Sequence, residues 1–415
     1  MVHATRTPLG SSCNKDSDDC KGMAVARVHL MLVSLNIIDE PVGYAPAFGP
    51  EVRFRVRYSQ REAAQPSTGF HYSNLGYKWT FDWLAYIVDK GSSNDVDYYI
   101  MGGGVRTFGG FDPATKTFAV QQLDQTRLTR TSADSYEMVC RDGSKRIFAE
   151  SDKAFQSRKV FLTQVIDPFG NAVTLEYQSV GLPSPQFGRS LRIVKIFDAT
   201  GPVTGPVPVG QSIAKVTTIY DNPDPFKITK VTDPFGRSAH FRYDLSGRLV
   251  AIVDVMGHQC TFSYDLDGAD GSKSDFIVKL ITPYGTTTFS KTEPGNTRSL
   301  KITYPDGNSE YVEFNQTRGL VFTPGGSGDG SEPPHSVPGG MATDNDLLTF
   351  RNTFYWDRQA FAHAANNTVT LRWTMPRRES TTGFTSISTL QQASLRALKR
   401  RWRTESGMTM TAKAR

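Results

Sequence analysis

Residues 233–264 read DPFGRSAHFRYDLSGRLVAIVDVMGHQCTFSY, and this stretch decides the fold. Gly236 and Gly257 are each followed seven residues later by a tyrosine, Tyr243 and Tyr264. The positions three and five after each glycine are apolar: Ala239 and Phe241, then Cys260 and Phe262. A period of two that ends on an aromatic is a half-buried strand, and the glycine lies in the turn that starts it. That turn is spelled Asp233-Pro-Phe-Gly236. Proline presets φ at its second position, and the aspartate can bond the turn backbone, which are type I preferences.

The same unit recurs outward in both directions. Asp167-Pro-Phe-Gly170 leads to Tyr177 through Val173 and Leu175, and Gly307 leads to Phe314 through Glu310 and Val312. Gly236, Gly257, Gly285 and Gly307 are spaced by 21, 28 and 22 residues. A spacing in the twenties marks a repeat array in which no unit buries its own face and neighbours must stack. The predicted class is all-β, an antiparallel strand-repeat array with a short C-terminal helical tail.

Upstream, His29–Ile38 reads as one continuous buried strand, and Val52, Phe54, Val56 and Tyr58 alternate with Arg53, Arg55 and Arg57. Trp79, Phe81 and Trp83 share one face of a further strand, with Thr80 and Asp82 on the other. The expected divisions are a disordered segment 1–27, a repeat region 28–322 and a Gly/Pro/Ser loop 323–346. Further strands occupy 347–375, and a basic, helix-patterned tail fills 376–415. The chain carries +6 overall, but the tail holds nine Lys/Arg and two acids, leaving the remaining residues at −1. The body therefore calls for no polyanionic partner, and no specific nucleic acid is expected.

Several chemistries are disfavoured. Cys13, Cys20, Cys140 and Cys260 have no metal-ligand spacing, and the seven histidines are scattered. Gly102–Gly104 is not followed by the Lys-Ser/Thr of a phosphate loop, and its flanks read as a hairpin. No Gly-x-Ser-x-Gly elbow occurs. No enzyme, cofactor or metal is expected. Asp167 and Asp233 read as turn caps rather than as an acid/base pair. Trp79, Phe81 and Trp83 read either as strand core or as a sugar-stacking platform, with core favoured. The arginine stripe could meet an acidic substrate or nucleic acid, but a solvated face or one paired with acids across a ladder is favoured. The N-terminus has no apolar core or cleavage site of a signal peptide, and the apolar run Val28–Ile38 is too short to span a bilayer.

Tyr243-Asp244-Leu-Ser-Gly247-Arg248-Leu249 is the Y-D-x-x-G-R-L signature of YD repeats, and Tyr264-Asp265-Leu-Asp-Gly268 repeats its first half. With Pro41–Pro46, Tyr72–Gly76, Trp79–Trp83 and Arg351–Asp357, the chain resembles bacterial RHS proteins from about Gly22 to Arg358. The resemblance implies a β-ribbon that spirals into a shell around a C-terminal toxin. It further implies a bacterial cytoplasmic protein exported by a dedicated secretion system. Its partners would be a toxin domain or secretion-apparatus protein, or glycans if the strands serve adhesion. The family's self-cleavage motif continues a DPxG core with leucine; Asn171 and Arg237 stand there instead, so no self-cleavage is expected. This chain is too short for a closed family shell, so a truncated remnant is expected. An unpaired edge around Phe354–Trp356 would then drive self-association. The basic tail reads as a toxin-region remnant, a polyanion or membrane contact, or, as favoured, a stretch without selected structure.

Overall fold

A computed structural model describes residues 23–30, 32–63, 74–91, 94–155, 157–184, 188–200, 215–265, 275–295, 297–315, 353–358, 361–362 and 373–374. Within them the chain is almost entirely antiparallel strand. Two compact units divide it, Met1–Ser290 with Thr303–Gly307 and Lys291–Ile302 with Asn308–Arg415.

In the first unit, β1 (Val25–His29), β2 (Ser34–Tyr44), β3 (Val52–Ser59) and β4 (Trp79–Phe81) form a small sheet in chain order. The expected continuous strand His29–Ile38 is broken. The Leu32 N–H turns back to the His29 carbonyl at 3.2 Å, and Val33 takes a left-handed φ of 47°. This lets Val25 pair with Ile38, so strand structure begins at Val25 rather than Val28. Likewise Trp83 leaves the strand of Trp79 and Phe81, because the Leu84 N–H bonds the Phe81 carbonyl at 3.1 Å and closes a turn.

The second sheet opens with two meanders. The first joins β5 (Tyr86–Asp89), β6 (Val96–Tyr99) and β7 (Val105–Phe108), and the second β8 (Arg127–Ser132), β9 (Ser135–Val139) and β10 (Lys145–Ser151). Gly102–Gly104 makes the β6–β7 hairpin, closed by the Ile100 N–H to the Gly104 carbonyl at 2.8 Å. Both meanders meet at β11 (Arg158–Ile166). One edge of this strand pairs with β10; on the other, Arg158–Phe161 pairs with β5 and Gln164–Ile166 with β12 (Ala172–Ser184). Where the partner changes, the Leu162 N–H bonds the Ala85 carbonyl at 2.9 Å and its C=O accepts the Tyr177 hydroxyl at 2.6 Å. The fork thus leaves no backbone group of Leu162 unpaired.

From β12 the chain continues as a plain meander. It runs through β13 (Gly188–Phe197), β14 (Lys215–Ile219), β15 (Lys230–Thr232), β16 (Ser238–Tyr243), β17 (Leu249–Val253), β18 (Gln259–Tyr264), β19 (Ile277–Thr282) and β20 (Gly285–Thr292). Each strand to β20 pairs antiparallel with the next.

The second unit holds β21 (Thr297–Thr303) as far as Ile302, together with β22 (Ser309–Asn315), β23 (Thr353–Trp356) and β24 (Trp373–Thr374). The expected open edge at Phe354–Trp356 is covered: β23 pairs with β22 on one side and with β24 on the other. A helical turn follows, with the Phe361 N–H on the Asp357 carbonyl at 2.8 Å, and buried Trp356 packs against Tyr311 and Phe361. The expected Gly/Pro/Ser loop 323–346 and helical tail 376–415 lie outside the described residues.

Candidate functional site

The feature that recurs is a turn clamped by its own carboxylate. Asp167, Asp233, Asp244 and Asp254 each precede a glycine by three residues, at Gly170, Gly236, Gly247 and Gly257. In every case the glycine N–H returns to the aspartate carbonyl at 2.9–3.1 Å, and the aspartate N–H bonds the carbonyl of the residue after the glycine. One carboxylate oxygen accepts the backbone N–H groups two and four residues on, for Asp233 those of Phe235 at 3.0 Å and Arg237 at 2.9 Å. The other oxygen binds the side chain after the glycine: Asn171 Nδ2 at 2.8 Å, Arg237 Nε at 2.7 Å, Arg248 Nε at 2.7 Å, and His258 Nδ1 at 3.2 Å. Gly236 holds φ +80°, a backbone that costs a side chain about 1 kcal/mol or more. The carboxylate replaces the strand ladder where the strand reverses, so the polar groups of the turn stay paired.

At the far end of each unit the tyrosine acts as a latch. The hydroxyls of Tyr177, Tyr243 and Tyr264 donate to the carbonyls of Leu162, Ile228 and Leu249 at 2.6, 2.6 and 2.7 Å, in each case 15 residues back. Burial raises all three phenols above the usual tyrosine range, so the hydroxyl stays protonated and remains a donor. The latch ties the end of β18 to the start of β17 and the end of β16 to the residues leading into β15, while Tyr177 joins the interior of β12 to the middle of β11. Tyr243→Phe is expected to cost about 1–1.5 kcal/mol in urea unfolding with the fold retained. Asp233→Ala, which orphans three donors, is expected to cost about 2 kcal/mol by the same measurement.

The small sheet lies across the repeat strands through its aromatic face. Trp79 is fully buried, its indole N–H donates to the Tyr264 hydroxyl at 2.9 Å, and its ring meets Phe262 at 4.9 Å. Phe81 stacks on Phe54 at 5.0 Å, and Phe54 meets Phe241 at 6.0 Å. The Trp83 N–H donates to the Arg53 carbonyl at 2.7 Å. Trp79, Phe81 and Trp83 are therefore core between two sheets and present no face on which a sugar could stack. The arginine stripe is a ladder with acids: Arg55 pairs with Glu40 at 2.9 Å and Arg57 with Asp82 at 2.8 Å, while Arg53 shares Glu40.

Asp167, Gly170, Asp233, Gly236 and Gly257, which the sequence assigns to turns, lie in turns, and the YD residues Asp244, Gly247 and Arg248 make a further turn of the same kind. Asp265 starts the β18–β19 connection, and its N–H bonds the Phe276 carbonyl at 2.8 Å rather than a carbonyl four residues on. Asp254 was missed because Val255 and Met256 lack the Pro-Phe spelling, although an aspartate three residues before a glycine was the signal. Arg237, Asn171 and His258 were missed as clamp partners for want of the same five-residue frame. Among the described residues no group of three metal-binding side chains comes together.

Residues 227–259 match the RHS repeat family model. No curated protein matches the chain. Among solved structures, the TcdB2-TccC3-TEV crystal structure is 11% identical over 73% of this chain and 17% of its own, with TM-score 0.32. TcdB2-TccC3 without its hypervariable C-terminal region is 11% identical over 68% of this chain and 16% of its own, with TM-score 0.30. A porin-like protein from Bacteroides uniformis is 11% identical over 55% of this chain and 92% of its own, with TM-score 0.22. The chain spans about a sixth of the length of the first two.

Proposed function

As an RHS-repeat chain, the protein is, we propose, a structural wall element that encloses or delivers an effector carried elsewhere, and not an enzyme. The observation that carries this reading is the regularity of the clamp and latch. Turn carboxylates and buried tyrosines are consumed in holding strand to strand, which is what a wall needs. The Asp167 and Asp233 carboxylates, the closest to an acid/base pair in the sequence, are each engaged by backbone and side-chain donors within their own turn. We place the protein in the bacterial cytoplasm before export by a dedicated secretion system, with a toxin polypeptide or a secretion-apparatus protein as partner.

The reading is tested by co-expressing the chain with the polypeptide encoded next to it and digesting the purified mixture with protease. Co-purification, with the neighbour protected only while this chain is present, is the expected result. Failure to co-purify, or unchanged digestion, would overturn it. Adhesion to glycans has lost the residues that suggested it, since Trp79, Phe81 and Trp83 are buried.

A further inference from the structure

The six strands β15–β20 contain no aspartate or glutamate, and every acid between Lys230 and Thr282 lies in a connection between strands. The turn acids are engaged where they stand: Asp233 binds Arg237, Asp244 binds Arg248 and Asp254 binds His258, each within its own turn. The strands carry Lys230, His240, Arg242 and Lys279. The near-neutral charge of the body therefore conceals a separation, because these strand cations and turn acids cancel in the sum without pairing.

The alternation puts the cations on one face. Phe241 and Phe262 point at the small sheet, where they meet Phe54 and Trp79. His240, Arg242 and Lys279 take the other parity and are exposed, and Lys230, opposite His240 in the register, is half-buried. Hydroxyl side chains stand between them, among them Thr232, Ser238, Thr261 and Ser263. Among the described residues none of Lys230, Arg242 and Lys279 forms an ion pair. Elsewhere the strand cations are matched: Lys195 holds Glu176, and Arg53, Arg55 and Arg57 hold Glu40 and Asp82.

The registers set the three unmatched cations on a diagonal. Arg242 lies one strand from Lys230 and two residues beyond its partner His240. Lys279 lies three strands farther, opposite Ser263 and two residues beyond the row of Arg242. At ordinary strand spacings the two steps are about 8 Å and about 16 Å. An extended chain presents same-side side chains about every 7 Å, so its acids reach Arg242 two residues after Lys230, and Lys279 about four residues later.

Charge decides the occupant. The basic tail at 376–415 and the same face of a second copy carry the same sign as this face and are repelled by it. Single-stranded nucleic acid is held by aromatic platforms between the cations, and no Phe, Tyr or Trp stands on this face. A carboxylate arriving here breaks no existing ion pair, so its charge complementarity is gained undiminished. We propose that the exposed face of β15–β19 docks an extended acidic polypeptide segment whose carboxylates pair with Lys230, Arg242 and Lys279. The inference rests on the charge of this face and not on the wall reading, so either can fail alone.

The test mixes the full chain with a peptide of about twelve residues alternating glutamate and serine, and maps zero-length carbodiimide crosslinks by mass spectrometry. Lys230 and Lys279 should lead the crosslinked lysines, and their yield should fall at least about fivefold between about 0.05 and about 0.5 M salt. Arg242→Gln should lower both yields at least about threefold, while Arg127→Gln, at an exposed arginine outside the face, should leave them unchanged. Both variants alter exposed side chains, so their circular dichroism and urea midpoints should match wild type. If Arg242→Gln does not fold, Lys230→Gln read at Lys279 takes its place. Crosslinks confined to other lysines, or yields at Lys230 and Lys279 indifferent to Arg242→Gln, would overturn the proposal. So would an oligothymidylate that displaces the peptide from these lysines at a lower concentration than the peptide itself requires, since the face would then be one for nucleic acid.

Discussion

Trp79→Ala is expected to lower the unfolding free energy by about 3–5 kcal/mol, the largest effect of any single truncation in the first unit. Three losses add up at this residue. A fully buried indole leaves a cavity between the two sheets, since β4 pairs with β3 on one side of it and Phe262 touches the ring on the other. The Tyr264 hydroxyl loses the indole N–H at 2.9 Å while still bonded to the Leu249 carbonyl. Tyr58, whose ring lies 5.6 Å from Trp79 and whose hydroxyl reaches the Asp275 carbonyl at 2.8 Å, loses its neighbour. Trp79→Phe retains most of the ring and should cost about half as much. Leu123→Ala, at an exposed residue, should stay within about 0.5 kcal/mol of wild type. Urea denaturation followed by far-UV circular dichroism reads all three. A Trp79→Ala midpoint close to wild type would mean that the small sheet is not docked on the repeat strands.

The second large effect belongs to Asp39. This residue lies at the irregularity of β2, between Asp39 and Val42, and is buried with Oδ1 lacking a hydrogen-bond partner. Burial raises its carboxyl to about 7; the Glu40 backbone N–H works against the rise, while the Asp254 and Glu40 charges add to it. The folded state therefore binds a proton that the unfolded state has released between about pH 4 and pH 7. Stability from this group is full below the unfolded pKa and is lost as pH rises through the folded one. The loss is on the order of 4 kcal/mol across that window. Asp152 and Asp275 are also raised, mainly by burial, and contribute slope of the same sign. Comparing wild type with Asp39→Asn therefore isolates the residue. The variant should be the more stable protein at pH 8, and its unfolding free energy should fall less steeply from pH 4 to pH 7. Parallel slopes for the two proteins would refute the assignment. Cys260, which burial and Asp39 push up to about 12, should remain slow to alkylate at pH 8 in the native state.

The repeat strands were legible because their code is local. Asp233, Pro234 and Gly236 set a turn within a few residues, and the alternation to Tyr243 fixes which face is buried. The clamp was legible in part: Asp233 and Asp244 stood out, but their partners Arg237 and Arg248 needed the turn geometry to place them four residues on. The strand containing Trp79 and Phe81 was legible as apolar alternation, yet Trp83 left it at a turn that no proline or glycine announces. In the same way Val33 breaks His29–Ile38 with a left-handed backbone that a β-branched residue rarely adopts.

By itself the sequence determined the all-β class, the phase of the repeat units and the turns that start them. Each follows from residue types acting on their own backbone or on neighbours a few positions away. Only the tertiary structure decided which sheet covers which, that β11 forks between β5 and β12, and that Arg53, Arg55 and Arg57 face acids rather than solvent. It also decided that Tyr264 anchors Trp79 across 185 residues and that Arg158 meets Asp89 across 69. The physical reason is that period-two alternation states that a face must be buried and is silent about its cover. The cover is chosen by packing and by the pairing of buried polar groups, which exist only once distant strands have met.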